Sequence, residues 1–164
     1  MRLAHLAGIS TFVTGGTGGV HRGGESSMDV SADLTELSQT PVVVVSAGIK
    51  SILDIRRTLE MLETLGVPTV AYQADEFPAF FSPKSGVKAP ARVECADEVA
   101  RAYWASRDMN FSCGMLVAVP NLDPAGDEVE DTIKEALAEA QISNIEGRDV
   151  TPFVLRRVAE RSGE

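Results

Sequence analysis

The chain has 164 residues, a net charge of −9 and an apolar fraction of 44 %, which suits one domain over 1–164 with a core of its own. The acid excess argues against a general nucleic-acid binder, which needs a basic surface. The longest apolar run, Pro41 to Ile49, is far too short to cross a membrane. Two cysteines, Cys95 and Cys113, give neither a disulfide framework nor a metal-site spacing. A reducing, cytoplasmic setting is therefore expected, an organelle transit peptide aside.

In chain order, Ile9 to Val13 reads as a buried strand running into the turn Thr14-Gly-Gly-Thr-Gly-Gly19. Val42 to Val45 is a near-continuous apolar strand of the kind covered on both faces. A helix is expected from Ser51, with Ser51 and Asp54 at capping-box spacing. Ile52, Ile55, Leu59 and Leu62 share one of its faces, and Gly66 and Pro68 end it. Val67 to Tyr72 is a third strand, and 74–92, with Pro78, Pro83 and Pro90, reads as a long ordered loop.

Asp97 and Glu98 open a helix to about Arg107, and Met115 to Val119 is a fourth strand. Asp127 to Gln141 is a helix with Val129, Ile133, Ala136, Leu137 and Ala140 inward, and Thr151-Pro152 starts the last helix. This alternation predicts an α/β fold: a three-layer α/β/α sandwich with a mixed, mainly parallel sheet. Sites in such sheets lie beyond the C-terminal ends of the strands.

Several residues there carry chemistry. The glycine-rich turn lets backbone N–H groups approach an anion, or is simply a structural turn. Lys50 follows an apolar strand and precedes the expected helix. Burial and the helix dipole there would favour an uncharged amine able to form an imine; the alternative is a lysine that reaches solvent or binds phosphate as a point charge. Asp29 and Asp33, with Ser31 between them, offer oxygen ligands for Mn²⁺ or Mg²⁺. The alternative has Asp33 capping the turn Leu34 to Leu37. His21 is a candidate proton carrier or a hydrogen-bonded structural group. Asp75 to Phe81 could wall a pocket or cover a subunit contact.

Together these segments resemble the pseudouridine-5'-phosphate glycosidase family, also called the indigoidine synthase A-like family. The resemblance rests on Phe12 to Gly23, Asp29 to Leu37, Ser46 to Asp54, Leu62 to Pro68, Asp75 to Phe81 and Thr151 to Leu155. It implies reversible cleavage of the C–C glycosidic bond of pseudouridine 5'-phosphate to uracil and ribose 5-phosphate, an activity classed with the carbon–oxygen hydro-lyases. It further implies an imine between Lys50 and ring-opened ribose, Mn²⁺ on Asp29, and substrate contacts from Ser31, Ala32 and Asp33. Thr14, Gly15, Gly16 and His21 would also meet substrate, and the whole protein would be a homotrimer.

Two departures stand out. Ser26-Ser27 replaces the histidine and threonine common in the family, and the chain is much shorter than family members, without a counterpart of the stretch bearing the general-acid glutamate. A catalytically impaired chain that binds phosphosugar or a partner is the alternative expectation, and a lysine-dependent aldolase on another sugar phosphate is a third.

Overall fold

The computed structural model describes residues 1–124, 127–143, 145 and 149–162, with only the backbone of 127, 128, 130, 161 and 162. Its centre is a five-stranded sheet ordered β1 (Thr11–Val13), β3 (Val43–Ser46), β7 (Met115–Ala118), β5 (Thr69–Tyr72) and β6 (Arg92–Val93). Every pairing in it is parallel. The antiparallel component is a separate ribbon of β2 (Val20–His21) and β4 (Leu53–Asp54). Because the five strands run the same way, Thr14, Ala47, Gln73, Glu94 and Val119 all leave the sheet at one edge.

Alternate side chains of each strand go to opposite faces. After two short helices, α1 (Arg2–Leu6) and α2 (Gly24–Ser27), come α3 (Ala32–Leu37) and α4 (Ile55–Thr64), and Val42, Val44, Ala71, Leu116 and Ala118 pack with Leu34 and Leu37 of α3 and Leu59 and Leu62 of α4. Ile133 and Ala136 of α6 (Asp127–Ile142) and Val154 of α7 (Val150–Ser162) complete that layer. Val43, Val70, Val93, Met115 and Val117 face the other way, toward Val99, Ala102 and Tyr103 of α5 (Ala96–Asp108). The expected three-layer sandwich is therefore present. The loop expected over 74–92 holds no helix or strand as far as residue 91, as the prolines predicted, but ends one residue early because Arg92 opens β6.

Three local expectations change. β1 is not a buried strand: it is a sheet edge, and Val13 is 72 % exposed. The helix expected from Ser51 begins at Ile55, because Asp54 is its N-cap and accepts the Arg57 N–H at 3.0 Å. Ser51 is instead used away from any helix, its Oγ donating to the Ala79 carbonyl. The last helix starts at Val150, which puts Thr151 and Pro152 inside its first turn, where proline's missing N–H costs nothing.

Candidate functional site

The glycine-rich turn is laced to the segment after β3. Thr14 N–H donates to Val45 O at 3.0 Å, Ala47 N–H to Gly15 O at 2.9 Å, Thr17 N–H to Gly48 O at 2.9 Å, and Lys50 N–H to Thr17 O at 3.1 Å. Thr17 Oγ1 donates to the buried Ser46 hydroxyl at 2.9 Å. Gly15, Gly16, Gly18 and Gly19 all have φ outside the left-handed region, so close approach, not backbone freedom, requires them. A methyl on Gly18 would stand 2.2 Å from Ser31 Oγ, and one on Gly19 would stand 2.4 Å from Thr58 Oγ1. The N–H groups of Gly15 and Gly16 have no acceptor among the described residues and are free to meet an anion.

The acidic segment docks on the other side of this turn. Ser31 N–H donates to Gly19 O at 2.9 Å and His21 N–H to Asp29 O at 3.0 Å. Ser31, not Asp33, caps α3, accepting the Asp33 N–H at 3.3 Å. The expectation that Asp33 is the cap is thereby corrected. Its carboxylate reaches back instead and accepts the Gly18 N–H at 2.9 Å. The carbonyl of Thr17 and the N–H of Gly18 belong to one peptide unit, so Lys50 and Asp33 are held at the two ends of the same plane. Ala32 offers only its main-chain N–H, which has no acceptor among the described residues.

Asp29 and His21 meet as a pair, with Oδ2 3.7 Å from Nδ1. That oxygen is buried and accepts no hydrogen bond among the described residues. An orphaned, buried carboxylate oxygen suits a hard cation that takes one protein ligand and keeps its waters. No group of three or more His, Cys, Asp or Glu side chains gathers among the described residues.

Lys50 differs from its expected setting. It is exposed, and four residues separate it from the start of α4. Neither the burial nor the adjoining helix N-terminus expected for it is present; its neighbours are the Gly16 main chain and the loop after β5. A methyl on Gly16 would lie 3.1 Å from Lys50 Cγ and 2.6 Å from Phe80 Cδ2. The site is thus built at the C-terminal edge of the parallel sheet from four segments: 14–19, 29–33, 46–51 and 77–81.

A sequence model described as indigoidine synthase A like protein matches residues 1–164. The chain belongs to that family. This indigoidine synthase A-like chain is 54 % identical over 167 residues to a pseudouridine-5'-phosphate glycosidase of Nocardioides sp., covering 99 % of the chain and 54 % of that relative. It is 50 % identical over 163 residues to that of Arabidopsis thaliana, covering 98 % and 49 %. Among solved structures it superposes on a prealnumycin C-glycosynthase in complex with ribulose 5-phosphate, with a TM-score of 0.89 and 39 % identity over 99 % of the chain and 54 % of that protein. An indigoidine synthase A-like protein of Thermotoga maritima gives 0.81 and 43 %, covering 99 % and 53 %. The chain spans about half the length of the curated relatives it matches.

Sequence reasoning missed two contributors in this family member. Thr58 on α4 accepts the Val20 N–H at 2.9 Å and donates to Asp54 O at 2.6 Å, clamping the glycine-rich turn to the helix. Phe80 contacts Gly15 and Gly16, although it looked like one aromatic among several. A buried threonine inside an amphipathic apolar face was the available signal for the first; nothing in the sequence singled out the second.

Proposed function

We propose that this chain carries the lysine and metal side of a pseudouridine-5'-phosphate glycosidase. The observation that carries the reading is the Thr17–Gly18 peptide unit, which holds the Lys50 main chain on one side and the Asp33 carboxylate on the other, next to the free Gly15 and Gly16 amides. Lys50 Nζ bonds to C1' as the C1'–O4' bond of the ribose ring breaks and O4' takes up the proton the amine loses; the C1'–uracil bond then breaks. Its electron pair goes to the uracil carbon, which takes up a proton, while the nitrogen lone pair forms C=N. Water then releases ribose 5-phosphate and returns the amine.

In this reading His21, 3.7 Å from Asp29, is the proton carrier this chain offers. Ser31, the Ala32 N–H and Asp33 bind sugar hydroxyls, and the amides of Gly15 and Gly16, with Thr14, contact substrate at the phosphate end. Asp29 would hold a Mn²⁺ ion, whose charge and ordered waters would help bind an anionic substrate. The family names of the relatives and the phosphosugar complex of the C-glycosynthase support the substrate class. Two free thiols, Cys95 and Cys113, suit a reducing compartment, and a homotrimer is the assembly this reading assigns to the whole protein.

The experiment is to incubate the chain with ribose 5-phosphate and borohydride and to map the adduct by peptide mass. An adduct on Lys50 that Lys50→Arg abolishes is expected, and no adduct at any lysine refutes the mechanism. The exposure of Lys50 favours a second reading, a phosphosugar-binding module without turnover. It predicts stabilisation by ribose 5-phosphate on heating with neither adduct nor uracil release.

A further inference from the structure

We propose that Phe80 is the positioning residue for Lys50, a deepening that rests on the imine reading above. Phe80 has φ +65, a left-handed conformation that is an outlier for a bulky side chain and is kept only where surroundings enforce it. Here they do. Its N–H donates to Ala47 O at 3.0 Å, and Ala79 bridges to Gly48 while its carbonyl accepts the Ser51 hydroxyl. These ties fasten residues 79 and 80 onto the very segment that carries Lys50.

The backbone twist turns the ring onto Gly15 and Gly16. Where a side chain on Gly16 would go, there is instead a notch shared by the edge of the Phe80 ring and the stem of Lys50. Phe81 packs edge-on against Phe80 with centroids 4.4 Å apart, closing the far side. A four-carbon stem in water samples many rotamers, and an amine that must meet one carbon of a sugar loses rate with each of them. Because Phe80 Cδ2 and Lys50 Cγ share the small space over Gly16, the half-buried ring gives an otherwise exposed lysine one apolar wall that restricts its rotamers.

The test uses Phe80→Gly, which removes the ring and relieves the left-handed strain, and Phe80→Tyr, which keeps the ring. Phe80→Gly should lower the maximal rate of borohydride trapping by ribose 5-phosphate about tenfold, as misplacement of a reacting group does. Its half-saturating sugar concentration should stay within about twofold, since the Gly15–Gly16 backbone keeps its hydrogen-bonded ties to the segment after β3. Phe80→Tyr should restore the rate. In the unsubstituted chain the γ-methylene protons of Lys50 should resonate upfield of other lysines through the ring current, and Phe80→Gly should abolish that shift.

An unchanged trapping rate in Phe80→Gly, or equal changes in rate and half-saturation, overturns the positioning role. A chain that traps no sugar refutes the imine reading separately. The proton shifts then decide alone: unshifted Lys50 methylenes overturn the inference, and shifted ones that Phe80→Gly normalises uphold it.

Discussion

Gly48→Ala should unlatch the loop after β5 from the Lys50 segment. Gly48 has φ +108, and a methyl group there would stand 1.9 Å from the Pro78 carbonyl oxygen. Carbon and oxygen need roughly 3.3 Å, so Pro78 must retreat by about 1.4 Å. That retreat pulls the Ala79 carbonyl off the Ser51 hydroxyl and the Phe80 N–H off Ala47 O. The backbone strain costs about 1–3 kcal/mol and each lost hydrogen bond about 1 kcal/mol, giving a loss of about 3–5 kcal/mol. Against a total of about 5–15 kcal/mol this is severe, and the midpoint should fall by about 10 °C.

Urea unfolding followed by circular dichroism would measure it, with Gly86→Ala as the control. Gly86 also has a left-handed φ of +72, but no atom lies within 4 Å of a methyl there, so only the conformational cost of about 1–2 kcal/mol applies. If Gly48→Ala costs no more than Gly86→Ala, the latch argument is wrong.

Two further outcomes follow from the site. Thr58→Val keeps the shape of a fully buried side chain but strands the buried Val20 N–H, and should cost about 1–3 kcal/mol in urea unfolding; a change under about 0.5 kcal/mol counts against the clamp. Asp29→Asn should weaken Mn²⁺ binding, read by electron paramagnetic resonance of the free ion, by at least about tenfold, whereas Asp75→Asn, on the exposed Arg92 pair, should leave it unchanged.

The strands and most helices were legible because their signals are local. Val42 to Val45 and Met115 to Val119 are apolar on consecutive positions, as two-sided burial demands, and Leu59 and Leu62 recur at helical period. The start of α4 was misread because Ser51 and Asp54 are both acceptable caps. What decides between them is the Ala79 carbonyl, 28 residues away, which takes the Ser51 hydroxyl. The same holds for Asp33: its spacing suited a cap, but Gly18 offers an N–H from across the turn, and Ser31 is already in place to cap. The buried setting expected for Lys50 came from the strand before it. Burial of a residue beyond a strand end depends on what folds over it, and that information is not in the strand.

The sheet itself makes a last prediction. Parallel sheets are ordinarily covered on both faces, yet α5 lies over only part of its side of this one. A groove of about 460 Å³ remains between α5 and the strands, lined by Thr11, Val43, Val45, Val99, Trp104 and Val119 among others. Trp104 is 61 % exposed at its rim. Apolar concavities of this size take up small aromatic dyes even in a native protein. Anilinonaphthalene sulfonate should therefore bind below the unfolding transition and accept energy from Trp104, the only tryptophan. Val45→Lys, which puts a charge on the groove floor without touching the β3 hydrogen bonds, should weaken that binding about tenfold or more. Equal dye binding by Val45→Lys would show that the dye reports some other surface and that this face of the sheet is better covered than its geometry indicates.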